Sequence, residues 1–328
     1  MKARGLQAFR ARQIWDWVWK KGVVSYDAMT NLSKDLRAEL AAELPVTGLS
    51  VETVRKSKRD GTAKALLATR EDRHIEAVAM PDEESGRLSI CVSTQIGCAM
   101  GCRFCASTVG GLKGSLTSTE IVDQVLLMSE IAGERASNVV LMGMGEPLAN
   151  YENSLAAVKR MNSAEELGIG ARHITLSTVG LVDEMARLAD EWPPVKLAVS
   201  LHAPNDDLRR RLIPIARKYT ITEILEVASG YADRTSRHFT VEYILIAGLN
   251  AARKHAEELA ARLRRLPAKA NLIAMNPGGA GDYAAPSEGR VKAFRDVLAE
   301  RGIETTIRKR RGTDIEAACG QLRLRQAE

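Results

Sequence analysis

Apolar positions in the first fifty residues recur at helical spacing. Phe9, Ile14, Trp15 and Val18 fall on one face of a helix predicted over residues 8–20. A second helix is predicted from Ser33, its cap, to Leu44, with Pro45 ending it. The period then changes. Residues 51–57 and 62–69 read as strands flanking the hairpin signal Asp60-Gly61, and residues 76–80 continue the sheet up to Pro81. From Leu88 onward, short apolar runs alternate with amphipathic stretches. Strands are expected at 88–94, 138–143, 172–177, 195–201, 238–246 and 270–275. Helices are expected at 119–132, 153–162, 181–190, 206–211, 221–232, 252–265 and 287–301, with an edge strand at 303–309. Thr117-Ser118-Thr119-Glu120 carries a capping-box pattern at the first of these helices.

Six βα units in series predict an α/β fold on a parallel sheet with right-handed crossovers, open or closed into a barrel. Ligands in such folds sit beyond the C-terminal ends of the strands. Four regions follow: a helical module over 1–48, a β-hairpin extension over 49–84, the βα series over 85–302, and a C-terminal strand and loop over 303–328. Gly278-Gly279-Ala280-Gly281 reads as a loop without phosphate-loop spacing, and no internal repeat or low-complexity segment is seen.

Composition narrows the function classes. The chain has 328 residues, 45% hydrophobic and 27% charged, as in ordinary globular proteins. A net charge of +6 suits a polyanionic partner without requiring one. No run approaches the ~18 apolar residues of a transmembrane helix, so no membrane association is expected. The start, Met1 to Leu6, lacks the apolar core of a secretory signal. A cytoplasmic protein is expected, in which disulfides are not structural.

Cysteine usage changes the picture most. Cys91, Cys98, Cys102 and Cys105 fall within fifteen residues just after the first strand of the series, and Cys319 lies near the C-terminus. The C-x3-C-x2-C spacing of Cys98, Cys102 and Cys105 can hold three irons of a [4Fe–4S] cluster and leave the fourth open. Two plainer readings compete: buried cysteines acting as small hydrophobes, and a structural zinc site with Cys91 as fourth ligand.

This pattern resembles the radical S-adenosylmethionine superfamily, with its partial (β/α)6 barrel. The segment Gln95 to Cys105 is similar to one family within it, the radical S-adenosylmethionine adenine-C2 RNA methyltransferases. Five further segments are similar too: Gly143 to Asn150, Ala171 to Gly180, Ala198 to Pro204, Asn271 to Pro277 and Asp314 to Leu322.

The resemblance implies a [4Fe–4S] cluster on Cys98, Cys102 and Cys105, and S-adenosylmethionine as cofactor. Cys319 matches the cysteine that accepts a methyl group, and Cys91 the one that later attacks Cys319 sulfur to release product through a transient disulfide. Glu76 matches the proton acceptor. Its spacing to the first cysteine is about two residues longer than expected, which a turn at Glu83-Glu84-Ser85-Gly86 accommodates. Gly145 and Glu146 match residues that hold the methionine amino group. Ser177, Ser200, Leu201, His202 and Asn276 match other cofactor contacts, at the ends of strands three, four and six.

The implied substrates are an adenosine in the peptidyl-transferase region of 23S rRNA and the adenosine 3′ of the tRNA anticodon. The implied partners are RNA and a flavodoxin-like one-electron reductant, and the chain is expected to be a monomer. The basic runs Arg55-Lys56-Ser57-Lys58-Arg59, Arg209-Arg210-Arg211 and Arg308-Lys309-Arg310-Arg311 are candidate RNA contacts, although such runs are usually solvated faces. Members of the family usually carry more residues before the segment at Phe9, so either the start is misassigned or the front module is reduced. The rival readings are methylation of carbon 8 of the same rRNA base, another radical enzyme such as a maturase, and a zinc-stabilised RNA-binding protein without catalysis.

Overall fold

The computed structural model describes residues 7–277 and 281–322. Met1–Leu6 and most of the glycine loop after Pro277 lie outside the described residues.

The chain opens with α1 (Phe9–Trp15), which continues into a π-helical turn over Asp16–Lys20, and then α2 (Lys34–Glu43). The expected single helix over 8–20 thus widens midway, with Lys21 N–H reaching the Asp16 carbonyl five residues back. Ser33 caps α2 through its hydroxyl, which accepts from Leu36 N–H at 3.3 Å.

Twelve strands follow among the described residues. Three of them, β1 (Leu49–Lys56), β2 (Ala63–Thr69) and β3 (His74–Asp82), run antiparallel into β4 (Arg87–Cys91). Glu83–Gly86 forms the turn between β3 and β4, which absorbs the two extra residues. A short ribbon, β5 (Gln95–Gly97) with β6 (Leu112–Ser115), stands apart from the main sheet. The parallel series continues as β7 (Asn138–Leu141), β8 (Ile174–Thr178), β9 (Lys196–Ser200), β10 (Phe239–Leu245), β11 (Ala268–Ala274) and β12 (Thr305–Ile307). Helices α3 (Ser118–Ala132), α4 (Tyr151–Asn162), α5 (Val182–Glu191), α6 (Asp206–Leu212), α7 (Ile221–Thr235), α8 (Arg253–Leu263) and α9 (Glu288–Glu300) alternate with them. None of these is long and apolar enough to cross a membrane.

All the main strands join one sheet in the order β1-β2-β3-β4-β7-β8-β9-β10-β11-β12. The expected six parallel strands are β4 and β7 to β11, in the partial barrel that the resemblance implies. The edge strand at 303–309 is β12, parallel to β11. The hairpin extension is continuous with the barrel sheet. Thr117 and Glu120 close the expected capping box on α3, with Thr117 N–H donating to Glu120 Oε2 at 2.8 Å and Glu120 N–H to Thr117 Oγ1 at 3.2 Å. A cap of this kind contributes about 1 kcal/mol.

Because β1 and β12 end the sheet unpaired, the barrel is open on one side. Residues 308–322 cross that opening. Lys309 meets Glu84 at 2.8 Å, Arg311 meets Asp82 at 3.3 Å, and Gly312 N–H donates to Asp60 Oδ2 at 2.9 Å. Lys64 Nζ donates to the Glu316 carbonyl at 3.1 Å. The segment is therefore tied from the β12 edge back to the β1–β3 hairpins.

Candidate active site

The three-cysteine loop is the connection between β5 and β6. Its neck is fixed by buried polar clamps. Gln124 on α3 accepts from Ser93 N–H at 2.7 Å and donates to its carbonyl at 2.9 Å. Asn150 donates to the carbonyls of Thr94 at 2.9 Å and Leu116 at 2.7 Å, the residues flanking the ribbon. Gly97 has φ +75°, and an added Cβ would lie 2.0 Å from the Gly111 carbonyl oxygen. Only glycine permits this crossing. Arg103 N–H donates to the Leu212 carbonyl at 2.9 Å, seating the loop on the end of α6.

Cys98, Cys102 and Cys105 line one cavity at the C-terminal ends of the parallel strands. All five cysteines are free thiols. Burial pushes the Cys98 thiol up to about 12, and Cys105 and Glu146 push it the same way. Burial drives Cys102 well above the ordinary thiol range, and its two sister thiols add to the effect. Three thiols that oppose one another's ionisation are a donor set suited to a cationic centre. The zinc reading took Cys91 as its fourth ligand, but Cys91 lines the neighbouring cavity. Three thiolates with one open position fit a [4Fe–4S] cluster.

The same cavity is walled by Gly145, Glu146, Ser177, Ser200 and His202. Gly145 has φ +99°, and a Cβ there would lie 2.5 Å from Gln95 Cβ. Glu146 is buried, its carboxylate accepting from Leu148 N–H at 3.1 Å and Val179 N–H at 2.9 Å. Burial raises its pKa to about 7. A carboxylate so reluctant to ionise alone is a ready receptor for an ammonium. Ser177 and Ser200 hydroxyls are 3.2 Å apart. His202 takes φ +60°, and its Nδ1 accepts from Ile244 N–H at 3.0 Å, which assigns the proton to Nε2. Burial lowers its pKa to about 3, so the ring is neutral. Leu201 is fully buried and outside the cavity wall, its N–H donating to the Glu242 carbonyl at 3.1 Å. Any contact it makes would be through its backbone.

Cys319 also lines this cavity, and it lines the next one as well. The second cavity holds Cys91, Asn276 and all four residues of the run Arg308–Arg311. Cys91 and Cys319 thus share one chamber, with Cys319 in the wall between the two. Burial pushes the Cys91 thiol up to about 12 and the neighbouring Cys319 adds to this, while the Arg308 cation works against it. The Cys319 loop is held by its backbone. Asn276 Nδ2 donates to the Cys319 carbonyl at 3.1 Å, Ala106 N–H to the Gly320 carbonyl at 2.8 Å, and Ser107 Oγ to the Leu322 carbonyl at 2.8 Å. Two of these donors belong to the segment just after Cys105.

Glu76 lines neither cavity. It sits on β3, on the strand face that also carries Val78, which pairs with Cys91 and packs against Ala317 and Leu322. It is buried rather than exposed, in an ion pair with Lys64 at 2.9 Å.

Sequence reasoning missed Lys64, which links Glu76 to the Cys319 loop, and Arg308 as a neighbour of both Cys91 and Cys319. It also misjudged Arg209-Arg210-Arg211 as one patch. Arg210 and Arg211 are exposed, but Arg209 is fully buried because α6 turns it inward. The runs at Arg55–Arg59 and Arg308–Arg311 are brought together, with Lys58 N–H donating to Asp314 Oδ2 at 3.3 Å.

Comparisons with known proteins agree with this geometry. The model of the Radical SAM superfamily matches residues 92–262, and that of the ribosomal RNA large subunit methyltransferase N-terminal domain matches residues 1–46. A relative from Symbiobacterium thermophilum named "Probable dual-specificity RNA methyltransferase RlmN" is 48% identical over 324 residues, covering 98% of this chain and 87% of its own. One of the same name from Alkaliphilus metalliredigens is 46% identical over 324 residues, covering 99% of this chain and 91% of its own. The crystal structure of a radical SAM methyltransferase from Sphaerobacter thermophilus superposes with a TM-score of 0.91 at 47% identity, covering 98% of this chain and 95% of that one.

Proposed function

This chain belongs to the radical S-adenosylmethionine superfamily and within it to the RlmN-type RNA methyltransferases, and from that premise we propose that it methylates carbon 2 of adenosine in 23S rRNA and in tRNA. The observation that carries the proposal is the position of Cys319, in the wall between the cavity of the cysteine triad and the chamber of Cys91.

Carbon 2 of adenine lies between two ring nitrogens and is electron-poor, so it does not attack a methyl group as a nucleophile. The hard step belongs to cofactors. When bound, a [4Fe–4S] cluster on Cys98, Cys102 and Cys105 and S-adenosylmethionine supply a methyl group and, with an external electron, a 5′-deoxyadenosyl radical.

The chain's residues do the rest. Glu146 and the Gly145 backbone receive the methionine ammonium. Ser177, Ser200, His202, Asn276 and the Leu201 backbone fix the remainder of that molecule. Cys319 sulfur loses its proton and takes the methyl, becoming S-methylcysteine. After a hydrogen atom leaves that methyl, its carbon bonds to adenine C2, and one electron leaves the resulting adduct radical for the cofactor site that supplied it. Glu76 accepts the C2 proton. Cys91 then attacks Cys319 sulfur: an S–S bond forms, the C–S bond breaks with its electron pair on carbon, and that carbon takes up a proton and stays on the RNA as methyl. Burial keeps Cys91 protonated at rest, so its attack needs the proton to leave, and the Arg308 cation favours that.

Residues 1–48 with the runs Arg55–Arg59 and Arg308–Arg311 grip the RNA in this reading, while one adenine is turned into the Cys91 chamber. The protein works as a monomer in the cytoplasm with a flavodoxin-like donor.

The test is Cys319→Ala with S-adenosylmethionine and reductant. Methylated RNA should vanish while 5′-deoxyadenosine still forms. Full methylation by the variant would overturn the mechanism, and 8-methyladenosine from the unaltered protein would overturn the position of attack.

A further inference from the structure

Arg209 is an arginine in the protein interior that the mechanism above does not use. Its side chain has 0% exposure. Nη2 donates to the Val179 carbonyl. Nε and Nη1 have no hydrogen-bond partner among the described residues. Those two nitrogens carry three N–H donors. A fully buried guanidinium is ordinarily paired with an anion and hydrogen-bonded throughout, because leaving it otherwise is strongly unfavourable.

Its surroundings name the missing partner. Cys102, anionic only when it serves as a cluster ligand, and Asp206 are the acidic groups close enough to act on it. Asp206 is already engaged with Ile221 N–H at 2.8 Å. The three-cysteine loop lies directly on this region, since Arg103 N–H bonds the Leu212 carbonyl at 2.9 Å and Gly101 abuts the Pro214 ring. Arg209 therefore sits beside the Cys102 corner of the triad.

We propose, resting on the reading of the triad as cluster ligands, that Arg209 is a positioning residue whose Nε and Nη1 donate to cluster sulfur atoms at the Cys102 corner and favour the reduced cluster. Reduction adds one negative charge to an already anionic group. A fixed buried cation stabilises the more negative state by the larger amount, and hydrogen bonds to sulfur act the same way. The electron still comes from the external one-electron donor. Arg209 sets how readily it is accepted.

The experiment uses the full chain, reconstituted anaerobically with iron and sulfide, as unaltered protein, R209M and R209K. A mediated potentiometric titration read by electron paramagnetic resonance of the reduced cluster gives the midpoint. R209M should weaken the preference for the reduced state at least tenfold, a shift of about 59 mV to more negative potential for a one-electron couple. R209K, which keeps the charge and loses the fork, should fall between. Unfolding of the cluster-free proteins supplies a second readout. Without its cluster, R209M should be as stable as the unaltered protein or more so, because an uncompensated cation is gone. With its cluster, it should be less stable and should lose iron faster. An unchanged midpoint in R209M with full iron content would overturn the proposal. So would equal destabilisation with and without cluster, which marks a purely structural arginine. If R209M yields no folded protein, the R209K midpoint decides alone, and a value equal to that of the unaltered chain overturns the proposal. Unaltered protein that takes up no iron and sulfide would instead overturn the cluster reading, and this inference with it.

Discussion

The Asn276 side-chain amide donates to the backbone carbonyl of Cys319 at 3.1 Å, joining the end of β11 to the loop that carries this thiol. Asn276 was expected to touch cofactor. Its Oδ1 is buried without a partner among the described residues and stays free for that contact, while its Nδ2 holds the cysteine. In the proposed reaction this one side chain would register Cys319 against the cofactor.

Asn276→Ala removes a bond worth about 1 kcal/mol. Methylation of Cys319, followed by intact-protein mass, should slow about fivefold to tenfold. A rate equal to that of the unaltered chain would mean that the bonds from Ala106 and Ser107 suffice to hold the loop.

Lys64 and Glu76 form an ion pair with side chains only 8% and 6% exposed. Lys64→Met should cost about 3–5 kcal/mol in thermal unfolding, since a buried carboxylate loses its lysine. Combined with Glu76→Gln, the loss should be smaller than the sum of the two singles. Glu76→Gln should also trap a covalent RNA–protein adduct, visible on a denaturing gel, because the C2 proton has no acceptor. Product release at the normal rate would remove Glu76 from that role.

Burial raises the Glu146 pKa from 4.5 to about 7, so the folded chain holds a proton there that the unfolded chain has lost. Stability should therefore fall as pH rises from about 4.5 to about 7, by about 3 kcal/mol, and level off above. Glu146→Gln should abolish that slope. An ammonium ligand needs the ionised form, so S-adenosylmethionine should bind more tightly as pH rises towards 7, with proton release in calorimetry. Affinity that is flat with pH would contradict the pairing.

Gly145→Ala meets both a positive φ and the Gln95 side chain at 2.5 Å. The backbone must shift, at about 1–3 kcal/mol for the strain alone. S-adenosylmethionine affinity should drop at least tenfold while iron content stays unchanged, because the triad is held by other clamps. Loss of iron in step with affinity would show the two sites to be one unit.

Some of this was legible in the chain and some was not. The triad reads from its spacing, and the capping box at Thr117 from four consecutive residues, since both are local. The β5–β6 ribbon does not read: Gln95-Ile96-Gly97 is three residues long, and its pairing depends on Gly97 crossing Gly111, which periodicity cannot express. Arg209 looks like its neighbours in a charged run, and only the helical phase of α6 separates it from Arg210. Lys64 gives no sign of meeting Glu76, because the contact depends on which face of a sheet each strand presents.

Residues 308–322, which bridge the open side of the sheet, come after every element they hold. The same segment also walls both cavities: Arg308 and Cys319 line each of them, and Lys309, Arg310, Arg311, Ala317, Ala318 and Leu322 close the Cys91 chamber. A chain broken before Arg308 would keep its cysteine triad yet lack Cys319, much of the wall around Cys91 and the ties across its open side.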